Sequence, residues 1–126
     1  MADILLIDDD YDFVHAVKTL LESKEHVVRV AYNGIEGWEK VREQKPDLII
    51  LDVMMPEKDG YKMCAELKAN NQYKEIPIIL LTAVAEHIHE TQYTTRMGME
   101  MEAEDYIPKP VEPSELLRRV EFLLNK

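Results

Sequence analysis

The sequence has a single cysteine, Cys64, so no disulfide can form within the chain. That is compatible with a reducing compartment. Positive charge is also scarce: 15 Lys plus Arg stand against 25 Asp plus Glu, a net charge of -10. Binding nucleic acid requires clustered cations that neutralise phosphates, and the cations here are scattered. A direct nucleic-acid partner is therefore not expected. No apolar run approaches the length needed to span a membrane. The opening Met-Ala-Asp lacks the cationic lead and long apolar stretch of a signal peptide. The expectation is a soluble, cytoplasmic protein without membrane insertion. Internal repeats, low-complexity stretches and linkers are absent as well. What remains is 126 residues with 46% apolar content, room for one domain with one core.

Short apolar runs alternate with helical patterns. The runs are Ile4-Leu5-Leu6-Ile7, Val27-Val28-Arg29-Val30, Leu48-Ile49-Ile50-Leu51, Ile76-Pro77-Ile78-Ile79-Leu80-Leu81 and the weaker Tyr106-Ile107. The first, third and fourth are continuous, which predicts strands covered on both faces. Phe13, Val14, Val17, Leu20 and Leu21 form one helical stripe, and Leu116, Leu117, Val120, Leu123 and Leu124 form another. Pro113 fits the first turn of that last helix. Further helices are expected over 35–43, over 60–70 with Asp59 as N-cap, and over 85–97 with Gly98 as its stop. The alternation predicts an α/β fold with a parallel sheet and helices on both faces. In such sheets a ligand sits outside the carboxyl ends of the strands, where the strand order reverses.

Those ends carry acids. Strand one runs into Asp8-Asp9-Asp10 and strand three ends at Asp52. With the order 2-1-3-4-5, Asp8, Asp9 and Asp52 converge on one cleft. Two carboxylates about 4 Å apart repel by on the order of 4 kcal/mol at an effective dielectric of roughly 20. A positive partner or a bound proton must offset this. A hard divalent cation such as Mg2+ suits an all-oxygen donor set, and Lys109, after strand five, supplies a fixed cation. Strand four ends in Thr82, so four of the five strands present a polar group at one rim. An Asp at a strand end is often only a turn former or cap, and Thr82 or Lys109 alone would be unremarked. The joint pattern is what points to chemistry.

The motifs "LLIDDD" (5–10), "LDVMMPEKDG" (51–60), "LLTA" (80–83) and "DYIPKP" (105–110) together resemble the receiver domain of two-component response regulators, over essentially the whole chain. The resemblance implies a flavodoxin-like, five-stranded parallel sheet of order 2-1-3-4-5, for which a member of this family is a standard example. It implies that residues 1–126 form one receiver domain with no output domain in the chain. Asp52 is then the phosphoacceptor, taking a phosphoryl group from a histidine kinase or histidine phosphotransfer protein. Asp9 and Asp52, with the backbone carbonyl of Met54, ligate Mg2+, with Mn2+ as a substitute, and Asp8 helps through water. Lys109 pairs with the acceptor and then with the phosphoryl group, Thr82 bonds a phosphoryl oxygen, and Tyr106 turns in response. The Lys109-Pro110 bond is expected to be cis. The signal would leave by protein contact with a downstream target, through the face built from the fourth and fifth expected helices and the fifth strand, from a monomer or weak homodimer. The chain's own catalysis is limited to accepting and slowly losing phosphate.

Two departures from the family pattern stand out. Met54 and Val84, two residues after Asp52 and Thr82, are apolar and cannot orient an attacking water. The stretch from Thr82 to Lys109 is longer than usual, and Glu102-Ala103 stands where Gly-Ala is customary. An alternative class is a Mg2+-dependent phosphohydrolase resembling the haloacid dehalogenase family, but its second acid would fall at residue 54, which is Met. A degenerate docking-only receiver conflicts with the complete set Asp8, Asp9, Asp52, Thr82 and Lys109. His15, His87 and His89 are expected to be solvated, Met97, Met99 and Met101 to serve in core, loop or an adaptable partner surface, Cys64 to be buried and Trp38 to pack.

Overall fold

The three continuous apolar runs form the interior of one parallel sheet. The structure is a computed structural model that describes residues 2–53, 60–82 and 103–125. Its elements run β1 (Asp3–Ile7), α1 (Tyr11–Ser23), β2 (Val27–Ala31), α2 (Gly34–Glu43), β3 (Leu48–Asp52), α3 (Gly60–Lys68), β4 (Ile78–Thr82), β5 (Asp105–Pro108) and α4 (Pro113–Leu124). The strand order is β2-β1-β3-β4-β5 and every pairing is parallel, as expected. The helix expected over 85–97, its Gly98 stop, the Asp59 cap, Met54, Val84, His87, His89 and Met97, Met99 and Met101 lie outside the described residues.

The side-chain period of two splits each central strand between two apolar layers. Leu5, Ile7, Ile49, Leu51, Ile78 and Leu80 pack with Val41 of α2 and Met63, Cys64 and Leu67 of α3. Ile4, Leu6, Leu48, Ile50, Ile79 and Leu81 pack with Val14, Val17 and Leu21 of α1 and Leu116, Val120 and Leu123 of α4. β3 and β4 are buried throughout, which is why they show no polar alternation. Burial pushes the Cys64 thiol up to about 11, so it behaves as a small apolar side chain.

Local chemistry explains the element ends. Asp10 caps α1 by accepting from the Phe13 N–H, and Asn33 caps α2 by accepting from the Glu36 N–H. β4 starts at Ile78 rather than at the expected Ile76. Pro77 has no N–H for the ladder, although its carbonyl accepts from the Ile49 N–H at 3.0 Å. Arg29 of β2 closes the opposite rim of the sheet. It pairs with Asp3 at 3.0 and 3.1 Å and donates to the carbonyls of Lys40 and Gln44 at 2.7 Å each, near the end of α2. No helix among the described residues is long and apolar enough to cross a membrane.

Candidate functional site

β1 and β3 are neighbours, and Ile7 faces Leu51 in register. Asp8 and Asp52 therefore leave adjacent strands side by side. The hydrogen-bond ladder continues to this rim. The N–H of Asp8 donates to Ala31, that of Val53 to Leu81 and that of Lys109 to Thr82, each at 3.1 Å. Three backbone bonds thus carry the ladder to the rim and fix the positions of the side chains it bears.

Asp8, Asp9 and Asp52 each offer an oxygen within 4.8 Å of the others. Asp8 is 0% and Asp52 1% exposed, while Asp9 is open to solvent. The Lys109 ammonium bridges the two buried acids, 3.3 Å from Asp8 Oδ2 and 3.2 Å from Asp52 Oδ2. It also lies 5.9 Å from the centre of the Phe13 ring. The Lys109-Pro110 bond is cis, as expected. Thr82 is buried at the end of β4, one residue beyond the Asp52–Leu81 pairing. Tyr106 sits on β5 opposite Leu80 and packs into the layer shared with α3, not into the acid cluster.

Burial, followed by the charge of Asp52, raises the Asp8 pKa from 3.8 to about 6. Its bond from the Asp10 N–H, 3.0 Å, and Lys109 only partly offset this. Burial works against the charge on Lys109, yet Asp52 and Asp8 outweigh it and hold the ammonium above its ordinary range. Burial likewise raises the Tyr106 phenol.

The donor set is all oxygen, and among the described residues the buried Asp8 Oδ2 receives no hydrogen bond, its ion pair with Lys109 being its compensation. An additional hard cation fits this cluster. Asp10 was part of the acid run in the sequence, but its side chain is spent on the α1 cap, a role signalled by its place before the Phe13-Val14 stripe.

The raised Asp8 pKa has a measurable consequence. Between pH 3.8 and about 6 the folded protein keeps a proton that the unfolded chain has lost. Stability must therefore fall as pH rises through that window. In chelator-treated protein the loss assignable to this group is at most about 3 kcal/mol. Urea unfolding from pH 4 to 7 should show it as a difference between wild type and Asp8→Asn. Parallel slopes for the two proteins would contradict it.

Gly60 opens α3 hard against the end of β3. A Cβ there would fall onto the Asp52 carbonyl oxygen and 2.5 Å from Val53 Cα. Both are backbone, which cannot swing aside. Gly60→Ala should cost about 1–3 kcal/mol of stability in urea and shift Asp52 as well. An unchanged unfolding midpoint would show that the two segments separate freely.

A family profile described as "Response regulator receiver domain" matches residues 4–121. The transcriptional regulatory protein AfsQ1 of Streptomyces coelicolor is 38% identical over 126 residues, all of this chain and 52% of that protein. The DNA-binding dual master transcriptional regulator RpaA of Synechocystis is 36% identical over 126 residues, 100% of this chain and 50% of its own length. Among solved structures, the signal receiver domain of a signal transduction histidine kinase from Syntrophus aciditrophicus matches with a TM-score of 0.87 and 33% identity, covering 99% of this chain and 91% of that one. The chain spans about half the length of the curated relatives it matches.

These relatives correct the expected partners. Direct nucleic-acid partners were excluded on charge, yet AfsQ1 is a transcriptional regulator and RpaA is named as DNA-binding. The physical reason for the error is scope. A net charge of -10 describes the surface of these 126 residues and constrains nothing that is joined to them.

Proposed function

The chain belongs to the response regulator receiver family of two-component signalling, whose members are phosphorylated on aspartate by kinases, and from that premise we propose that Asp52 is the aspartate that accepts the phosphoryl group. The supporting observation is the Lys109 ammonium set between two buried acids on neighbouring strands, 3.2 Å from Asp52 and 3.3 Å from Asp8.

A carboxylate oxygen of Asp52 forms the new bond to phosphorus as the bond to the donor breaks, the donor leaving with its electron pair. An aspartyl phosphate results. Such transfers depend on positioning and on charge placed against the phosphoryl oxygens. Lys109 is poised to follow the charge from the Asp52 carboxylate to those oxygens. The Thr82 hydroxyl donates to one of them, and Tyr106 reorients as the end of β4 is drawn inward. Receiver domains generally bind Mg2+ at an acidic pocket; here Asp9, Asp52 and the Met54 carbonyl would hold it, with Asp8 acting through water and Mn2+ as a substitute. When bound, the ion supplies further neutralisation of the phosphoryl oxygens.

Residues 1–126 act as one receiver unit, and the changed surface includes β5 and α4. The transcriptional relatives support an effect on transcription. The buried thiol of Cys64 fits a reducing cytoplasm.

The test is incubation with acetyl phosphate and Mg2+, followed by mass spectrometry of the intact protein and its peptides. One phosphoryl group on the peptide containing Asp52 is expected; none, or one elsewhere, refutes the assignment. Receiver domains lose the group slowly by their own chemistry. With Met54 and Val84 unable to orient water, loss from this protein should be slow even for the family. Rapid phosphate release from the purified phosphoprotein, with no phosphatase present, would count against that role for the two positions.

A further inference from the structure

At the opposite end of the sheet from the acids, the Lys68 side chain is almost wholly enclosed. It is 7% exposed, against 32% for its partner Glu104. The ammonium donates to both carboxylate oxygens of Glu104, at 3.0 and 2.9 Å, and to the carbonyls of Lys74 and Ile76, at 3.2 and 3.0 Å. Glu104 in turn holds Ile78, the first residue of β4, by both of its backbone groups. The Glu104 N–H donates to the Ile78 carbonyl at 3.0 Å, and Glu104 Oε1 accepts from the Ile78 N–H at 2.7 Å. Glu104 immediately precedes β5.

β5 has four residues and lies at the edge of the sheet, with β4 as its one strand neighbour among the described residues. Its register, from Ile79 opposite Asp105 to Thr82 opposite Pro108, decides where Lys109 emerges. A slip of one residue would move Lys109 by about 3.3 Å along the strand and turn alternate side chains to the other face. So short an edge strand has little ladder of its own to prevent this.

We infer that Lys68 and Glu104 are positioning residues for Lys109: by clamping the start of β5 to the start of β4, they deliver the Lys109 ammonium to Asp8 and Asp52. This rests on the reading of Lys109 as the cation that holds the phosphoryl oxygens. A second tie on β5, Arg119 of α4 to Asp105 at 2.8 and 2.9 Å, grips the strand from the helix layer. It makes no reference to β4, so it anchors β5 without choosing its register. Lys109 itself closes the far end, where its N–H donates to Thr82.

The test measures the rate of phosphoryl gain from acetyl phosphate with Mg2+, and amide hydrogen exchange at single-residue resolution. Lys68→Met should slow the gain by about tenfold or more, since a displacement of about 1 Å can cost on the order of a hundredfold. It should also speed exchange at the Lys109 amide while leaving β1 and β3 amides unchanged. Lys68→Arg, which retains the charge and the donors, should restore both, and Arg119→Met should disturb the rate less. In a Lys109→Met background, Lys68→Met should slow the residual rate no further. If Lys68→Met folds poorly, Glu104→Gln serves instead, because it keeps an acceptor for Ile78 and removes the ion pair. Normal rates in Lys68→Met beside a slow Lys109→Met would overturn the inference and leave the site intact. Equal slowing in both backgrounds would overturn it too, by revealing a general loss of structure. A Lys109→Met protein as fast as wild type would instead bring down the reading of Lys109, and the clamp's role with it.

Discussion

Asp52→Asn is expected to gain no phosphoryl group from acetyl phosphate and Mg2+ at the peptide where the wild type gains one. The substitution keeps the shape of a side chain that is 1% exposed and replaces a nucleophilic carboxylate by an amide. It also removes a charge that helps to raise the Asp8 pKa, so the folded state should be no less stable. The loss is then chemical rather than a failure to fold, and equal or higher urea midpoints beside absent labelling would establish that. Labelling of this variant at the wild-type level would mean that the acceptor is another group. Asp9, exposed at the same rim, is the first to examine by peptide mapping.

Lys109→Met should slow phosphoryl gain by about a hundredfold, the scale seen when one group that stabilises transition-state charge is removed from a preorganised site. Methionine keeps an apolar stem near Phe13, so the change isolates the ammonium. Stability should respond as well, because Asp8 and Asp52 lose the cation between them. Removing one partner of a buried pair can cost 3–5 kcal/mol. Here Lys109 is 26% exposed and Asp8 can take up a proton, so about 2 kcal/mol at pH 7.5 without metal is a fairer expectation. Near pH 5, below the raised pKa of Asp8, the part of that deficit that comes from Asp8 should vanish. Added Mg2+ should restore the unfolding midpoint but not the rate. A variant that accepts phosphate at the wild-type rate, or whose rate Mg2+ alone recovers, would remove Lys109 from the chemistry.

Much of this was visible before any coordinates. The runs at 4–7 and 48–51 lie within strands of the expected layout, and Asp8, Asp9 and Asp52 do meet. Other features escaped because their signal is shared with a commoner use. Asp10 belongs to the same acid run as Asp8 and Asp9, yet it stands one residue before α1 and caps it. Gly60 was expected only as the first residue of a helix, whereas its lack of a side chain is what lets α3 start against the Asp52 backbone. Glu104 and Lys68 carried no signal at all, since nothing local marks two opposite charges that meet only when β5 lies beside β4. The charge balance misled for a different reason, being a property of one portion of what the relatives contain.

By itself the amino-acid order determined where strands and helices alternate, which strands are sheathed on both faces, and that acids, a hydroxyl and an ammonium stand at strand ends. These follow from side-chain periodicity and composition within a few residues of each position. That β1 lies beside β3 was implied by the family resemblance and is seen in the fold; the fold alone decided that the Lys109 ammonium reaches both buried acids and that Lys68, Glu104 and Ile78 meet at the far rim, where β4 and β5 begin. Those outcomes depend on strand order and register. They are set by packing among segments remote in the chain, and no local pattern encodes them.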